Sequence, residues 1–359
     1  MGVTDDAEPA DPAFNRANPV TDVVERVPYG GGTAVRKVVR PDGEVVVGHW
    51  VTSDDPDHWN HWRREDLAYA TGLVDAFAPE GIRGPRLLDR VERPDGAVEL
   101  WLEDVAGRAG PTWSLADHAR FGERLGAAQG RLGRAGAAPR HEWLSRGWAR
   151  QYVLSRPGGL AVLDDAAAWE HPVVIEGFGD ERHRLRARFT ELYRDADRWL
   201  GLMESLPRTL CHLDCWVNNA IAADDGTDVL VDWSFAGQGA VGEDVGNWVP
   251  DAIFDFVDQG EAFPTLDRTV WSAYADGLDA AGWPFDTDLA RLAVCTSGAM
   301  KYVWLPGLMV SRAGHGGPTG YGGRPGPPEA EVFAHRLPVL DGLLAWADEA
   351  AALAEGLGL

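Results

Sequence analysis

Between Cys211 and Trp248 the chain sets acids, an amide and a histidine at spacings suited to chemistry on phosphate. The run His212-Leu213-Asp214-Cys215-Trp216-Val217-Asn218-Asn219 has the form H-x-D-x-x-x-x-N, and the apolar run Val229-Leu230-Val231 ends on Asp232. Two short strands around the turn Asp224-Asp225-Gly226-Thr227 form a hairpin whose open end would hold Asp214, Asn219 and Asp232 together. One carboxylate as a base, with an amide and a second carboxylate as hard oxygen ligands for Mg²⁺, is the set that phosphoryl transfer uses. Singly, Asp214 also reads as a turn residue and Asp232 as a strand-end cap; about a shared hairpin, the chemical reading is the stronger. A zinc reading of Cys211, His212 and Cys215 lacks a fourth ligand at suitable spacing. Gly237-Gln238-Gly239-Ala240-Val241-Gly242 satisfies G-x-G-x-x-G, but the segment around Glu261 does not read as the second parallel strand of a dinucleotide fold.

These side chains need a scaffold, and 359 residues suffice for two lobes. Hydrophobic content of 45% and charged content of 25% are those of a globular protein. A formal charge of −23 argues against nucleic acid as a partner, because phosphates demand clustered Lys and Arg. Three cysteines make no disulfide framework, which points to a reducing cytoplasm. The acidic, Pro-rich start has no signal-peptide pattern, Asp6 stands where a myristoylation signal needs Ser or Thr, and no apolar run is long enough to span a membrane.

Residues 1–20 read as a disordered tail. Strands are expected at Val20–Val27, Thr33–Arg40, Glu44–Val51, Pro85–Val91 and Val98–Val105. A helix, capped within Asp54–Asp57, runs through Trp62-Arg63-Arg64-Glu65 to Leu73. Strands, helix, strands describe a small α+β lobe over residues 21–107. Residues 108–359 turn mostly helical, with helices expected at Leu115–Leu132, Glu142–Leu154, Asp180–Leu200, Thr265–Ala281, Thr287–Met309 and Pro328–Leu357. In this half the hairpin at 211–232 is the one strong strand signal. Ser311–Pro328, with His315 and Tyr321, is a Gly/Pro-rich loop long enough to serve as a lid.

The arrangement resembles the aminoglycoside phosphotransferase family, the small-molecule branch of the protein-kinase-like fold, over roughly residues 22–350. His212 to Asn219 looks like that family's catalytic loop. Val231-Asp232-Trp233 looks like its metal motif, and Gly239-Ala240-Val241-Gly242-Glu243-Asp244 is similar to its following G-x-x-G-x-D segment. The resemblance implies a bilobal α+β fold, ATP or GTP with Mg²⁺ as cofactors, and a small-molecule or peptide hydroxyl as acceptor. In the catalytic motif Asp214 would take or orient the acceptor's proton, and His212 would brace the loop. Asn219 and Asp232 would hold the metal, and Asp244 would anchor the loop backbone.

In the first lobe, Gly30-Gly31-Gly32-Thr33 fits the nucleotide-covering turn, and a glycine turn joining two strands lets backbone N–H groups approach phosphates. Glu65 fits the helix acid that pairs with a phosphate-binding lysine, and Glu103 to Val105 fit the hinge beside the purine. The lysine itself is displaced: the strand Val45-Val46-Val47 is followed by Gly48 and His49. Arg36 or Lys37 on the neighbouring strand is the expected substitute, His49 a poorer one, and loss of transfer with nucleotide binding kept is the third reading. On the acceptor side, Asp251, Asp255 and Asp258 share a helical face that suits ammonium groups as well as plain solvent. Trp216, inside the catalytic loop, is placed to touch an acceptor ring. A peptide Ser/Thr kinase and a non-catalytic nucleotide-binding module are the alternatives to a small-molecule phosphotransferase, and fold alone does not choose among them.

Overall fold

The structure, a computed structural model, describes residues 23–29, 31–40, 44–45, 50–51, 53–134, 138–154, 158–254, 262–314 and 328–359. The expected tail at 1–20, Gly30, Gly48, His49, Asp255, Asp258, His315 and Tyr321 lie outside these residues. The first lobe is a four-stranded antiparallel sheet in the order β1 (Val23–Tyr29), β2 (Gly32–Val39), β7 (Val98–Glu103), β6 (Leu87–Glu92). Tyr29 faces Gly32 across the β1–β2 turn, where Gly31 has φ 89°, a conformation natural to glycine. Among the described residues the strands β3 (Glu44–Val45) and β4 (Trp50–Val51) pair with each other and with no strand of this sheet.

The helix α1 (Arg64–Ala70) is shorter than expected, because residues 54–63 are spent on turns. Arg64 ties those turns down: its guanidinium donates to the carbonyls of Pro56, His58, Trp59, Trp143 and Ser234. Burial pushes this guanidinium down to about 9.

The hairpin β10 (Ala220–Ala223) and β11 (Asp228–Leu230) forms as its alternation and Gly226 turn dictate. It is extended on one side by β8 (Gly107–Ala109) and on the other, in parallel, by β5 (Ile82–Arg83). Two short strands of the chain's first third therefore complete the sheet that carries this hairpin. A second pair, β9 (Arg208–Cys211) with β12 (Gly237–Ala240), was hidden because glycine-rich Gly237-Gln238-Gly239 has no strand signature. Those glycines serve close packing: a Cβ on Gly237 would lie 2.4 Å from the Ser145 carbonyl, and one on Gly239 would lie 2.7 Å from Cys211 Sγ. The G-x-G-x-x-G pattern is a packing feature here.

Helices build the rest. α2 (Leu115–Gly133) starts on a capping box between Ser114 and Asp117. α3 (Trp148–Leu154), α4 (Gly158–Asp164) and α5 (Pro172–Phe178) follow. The expected helix 180–200 is two, α6 (Glu181–Arg194) and α7 (Ala196–Ser205), broken at Asp195. α8 (Glu243–Phe254) and α9 (Phe263–Ala280) follow the site strands. The expected helix 287–309 also divides, into α10 (Thr287–Lys301) and α11 (Leu305–Arg312), with Pro306 in the first turn of the second. α12 (Glu329–Leu357) closes the lobe. Among the described residues no helix is long and apolar enough to cross a membrane.

Candidate active site

Three backbone devices aim the site. Asp244, at the start of α8, takes the backbone N–H groups of His212 (2.9 Å) and Leu213 (2.8 Å) on its two oxygens, and Gln129 Nε2 (2.8 Å) as well. Gln129 is itself fixed by the Tyr274 hydroxyl at 2.6 Å. Among the described residues, Leu213 (φ 65°) and Asp232 (φ 61°) are the non-glycine residues held in the left-handed region, a cost of about 1–3 kcal/mol each. Both belong to the motifs, and the surrounding bonds hold them there. The third device is His212, whose ring nitrogen Nε2 meets the Val231 carbonyl at 3.0 Å and ties the catalytic loop to the strand leading into Asp232. Burial pushes the His212 imidazole down to about 4, so it is neutral and acts as a brace.

Within this frame Asn219 donates its amide to both the backbone carbonyl (3.0 Å) and the carboxylate (3.0 Å) of Asp214. That choice leaves Asn219 Oδ1 buried with no hydrogen-bond partner. An orphaned, electron-rich oxygen beside Asp214, on the hairpin that ends at Asp232, fits a hard cation. Mg²⁺ takes few protein oxygens and completes its shell with phosphates and water. Burial raises the Asp214 carboxyl to about 7; Lys301 pulls it back while Asp232 and Asp251 push further up.

Asp232 meets Lys37 Nζ at 3.1 Å, and the same ammonium pairs with Glu65 of α1. All three are at most 5% exposed. Burial works to raise the Asp232 carboxyl, but Lys37 and the Ser234 hydroxyl outweigh it and hold the group below its ordinary value. Of the two cations expected to replace the displaced lysine, Lys37 is therefore the one that reaches the carboxylates. Arg36 alternates to the other face of β2, where it pairs with Glu25 and lies 6.0 Å from the Trp101 ring.

The remaining expected nucleotide residues scatter more. Thr33 donates to Asp104 at 2.6 Å, pinning the Gly31-Gly32 turn to the segment after β7. The carboxylate of Glu103 is occupied by Arg83 (2.8 Å) and Arg86 (3.2 Å), so its side chain is structural. Val105 is buried in a small apolar cluster with Ile221 and Val229. On the acceptor side Trp216 is buried, which makes packing its first role. Asp251 accepts from Asn247 and lies 3.9 Å from Lys301. Sequence reasoning missed Lys301, Asn247 and Ser234. Only Lys301 left a trace, as one of two lysines in the chain.

A small antiparallel sheet and one helix set against a helical lobe, with Asp214, Asn219 and the Lys37–Glu65–Asp232 cluster between them, define a protein-kinase-like α+β fold. The chain belongs to the phosphotransferase enzyme family (APH), whose model matches residues 26–284. Among solved structures it is similar to the amicoumacin kinase hAmiN in complex with AMP-PNP, Ca²⁺ and Ami. That match has a TM-score of 0.54 and 13% identity, over 90% of this chain and 86% of the other. It is also similar to an aminoglycoside phosphotransferase from Alicyclobacillus acidocaldarius subsp. acidocaldarius DSM 446 (TM-score 0.50, 15% identity, 93% and 92% covered). The AMP-bound spectinomycin phosphotransferase APH(9)-Ia matches at TM-score 0.50 and 8% identity, over 91% and 92%. At these identities the likeness is one of fold. No curated protein matches.

Proposed function

We propose that this protein transfers the γ-phosphoryl group of ATP or GTP to a hydroxyl of a small molecule, an antibiotic being the leading class. The observation that carries the reading is the convergence of Asp214 and Asn219 with the buried Lys37–Glu65–Asp232 cluster. Asp214 takes the acceptor's proton, a role worth about 10²–10⁴-fold. Asn219 and Asp232 would hold Mg²⁺, which when bound neutralises charge on the transferring phosphate. Lys37, held by Glu65, supplies the phosphate-side cation whose displacement from position 48 had suggested a non-catalytic module.

Two of the solved structures similar to this chain carry AMP-PNP or AMP, which supports a nucleotide as the phosphoryl donor. Three free, buried cysteines agree with a reducing cytoplasm. The test is ADP release from MgATP or MgGTP across a panel of hydroxyl-bearing antibiotics, sugars and a Ser/Thr peptide. Transfer by the wild type that falls at least about 100-fold in Asp214→Asn supports the reading. Equal turnover by both proteins on every acceptor would sink it.

A further inference from the structure

The chain has two lysines among its 33 basic residues, and both are buried against the carboxylates of the site: Lys37 at Asp232, Lys301 at Asp214. Arginine serves every other basic position. An ammonium is a compact point charge, whereas a guanidinium is a planar fork that needs room, so the exceptions mark places where shape is constrained.

Lys301 ends α10 and donates to Asn247 Oδ1 on α8. Its Nζ is 3.8 Å from Asp214 Oδ1 and 3.9 Å from Asp251 Oδ2, distances too long for hydrogen bonds. Three rings surround it, with centroids 5.2 Å (Trp148), 5.7 Å (Tyr302) and 6.0 Å (Tyr152) away. Trp148 and Tyr152 stack on each other at 4.7 Å. Rings and carboxylates around a cation are how proteins bind cationic ligands; here the cation is the protein's own. Its side chain is 10% exposed and that of Asp214 is 25% exposed, so a group that reaches the Asp214 carboxylate comes within reach of the ammonium 3.8 Å away.

An acceptor bringing an ammonium to this place would meet a like charge and rings already engaged. An acceptor bringing an oxygen would meet an ammonium with N–H donors to spare. We propose that Lys301 determines acceptor specificity: it fills the aromatic cage beside Asp214, excludes an ammonium there, and selects acceptors that place a hydroxyl or carboxylate oxygen next to the hydroxyl being phosphorylated. The proposal rests on the phosphotransfer reading and leaves that step unchanged. The acceptor oxygen bonds the γ-phosphorus, the bond to the β–γ bridging oxygen breaks, the nucleoside diphosphate leaves, and the proton goes to Asp214. It also redirects the expectation that Asp251 receives an acceptor's ammonium, since Asp251 already faces Asn247 and Lys301.

The experiment uses the full chain with MgATP and acceptor pairs that differ only in an amine or a hydroxyl beside the reacting hydroxyl, such as an amino sugar and its parent sugar. A like-charge contact at this partly exposed place disfavours the amine, so wild type should prefer the oxygen member by about 10–100-fold in kcat/KM. Lys301→Met, which keeps the apolar stem, should bring that ratio to within about threefold of unity. An unchanged ratio in Lys301→Met, or a wild type that prefers the amine, overturns the proposal. A second arm needs no turnover. By calorimetry, tetramethylammonium should bind the cage vacated in Lys301→Ala and not the wild type; binding to both, or to neither, overturns it. If no acceptor is phosphorylated and Asp214→Asn changes nothing, the phosphotransfer reading has failed, and the calorimetric arm alone decides what Lys301 does.

Discussion

At the scale of the residue, the site is a set of buried charges that only make sense in groups. Lys37 answers two carboxylates at once, Glu65 and Asp232, in a region where all three are nearly inaccessible. Removing one partner from such a cluster leaves an uncompensated charge, a loss of about 3–5 kcal/mol. Lys37→Met should therefore lower both stability and affinity for MgATP, the latter by at least about tenfold on the scale of a charge-assisted contact. Arg36→Met loses only its partly exposed contacts with Glu25 and the Trp101 ring, so its nucleotide affinity should stay within about threefold of wild type. Nucleotide titration followed by calorimetry reads both; equal losses would mean that the cation was assigned to the wrong side chain. Asp244 is the complementary case, an acid that touches no phosphate. Asp244→Ala strips the N–H groups of His212 and Leu213 of their acceptor, and should cost about 2–4 kcal/mol in denaturant unfolding while lowering kcat more than it raises KM.

At the scale of the element, the site depends on how closely α8 and α10 cross, because one carries Asn247 and Asp251 and the other ends in Lys301. Gly246 makes the crossing possible: a Cβ there would fall 2.0 Å from Ser297 Oγ and 2.6 Å from the Val294 carbonyl. Gly246→Ala should overpack the crossing by about 1–3 kcal/mol and part Lys301 from Asn247. A lowered denaturation midpoint, with kcat/KM reduced while MgATP affinity is kept, checks this. Nothing in the sequence announced that crossing, since neither helix has a glycine pattern that names its partner. What the sequence does display is local. The hairpin around Gly226, the acids and amide flanking it, and α2 with its Ser114 cap follow from turn chemistry and period. Hidden features depend on contacts between distant segments. Examples are β12 within Gly237-Gln238-Gly239-Ala240, the breaks at Asp195 and after Lys301, and the choice of Lys37 over Arg36, which turns on the face each takes in a strand paired on both sides. Glu44–Val45 and Trp50–Val51 pair with each other outside the main sheet, and no periodicity within eight residues could report that.

At the scale of the whole molecule, a chain of formal charge −23 keeps Asp232, Glu243 and Asp244 buried and Asp214 half-buried around the loop 212–219. Burial raises Glu243 to about 7, Asp244 to about 6 and Asp214 to about 7; Lys301 opposes the rise at all three, at Glu243 behind Arg208. Glu243 stands apart from Asp214, Asn219 and Asp232 in its hydrogen bonding; it accepts the Ala240 N–H at 2.9 Å and faces Arg208, Asp244 and Lys301. Its ordinary value is 4.5, so between about pH 4.5 and 7 the folded protein keeps a proton that the unfolded chain has released. Stability falls with rising pH wherever the native state binds more protons, by at most about 1.4 kcal/mol per proton per pH unit. Glu243 thus favours the fold fully below pH 4.5 and loses that contribution as pH climbs through 7. His212 has the opposite sign, since its neutral buried ring loses stability as pH falls below 6.5 and the unfolded chain takes up the proton. The wild-type curve mixes the two, and Glu243→Gln separates them. A neutral amide has nothing to release, so relative to wild type the variant should gain on the order of 2 kcal/mol between pH 5 and pH 8. Urea midpoints of both proteins at pH 5, 6, 7 and 8 give that difference directly, with unchanged m-values as the control. A difference that stays flat would mean that Glu243 is ionised in the fold, and that Arg208 and Lys301 together outweigh its burial.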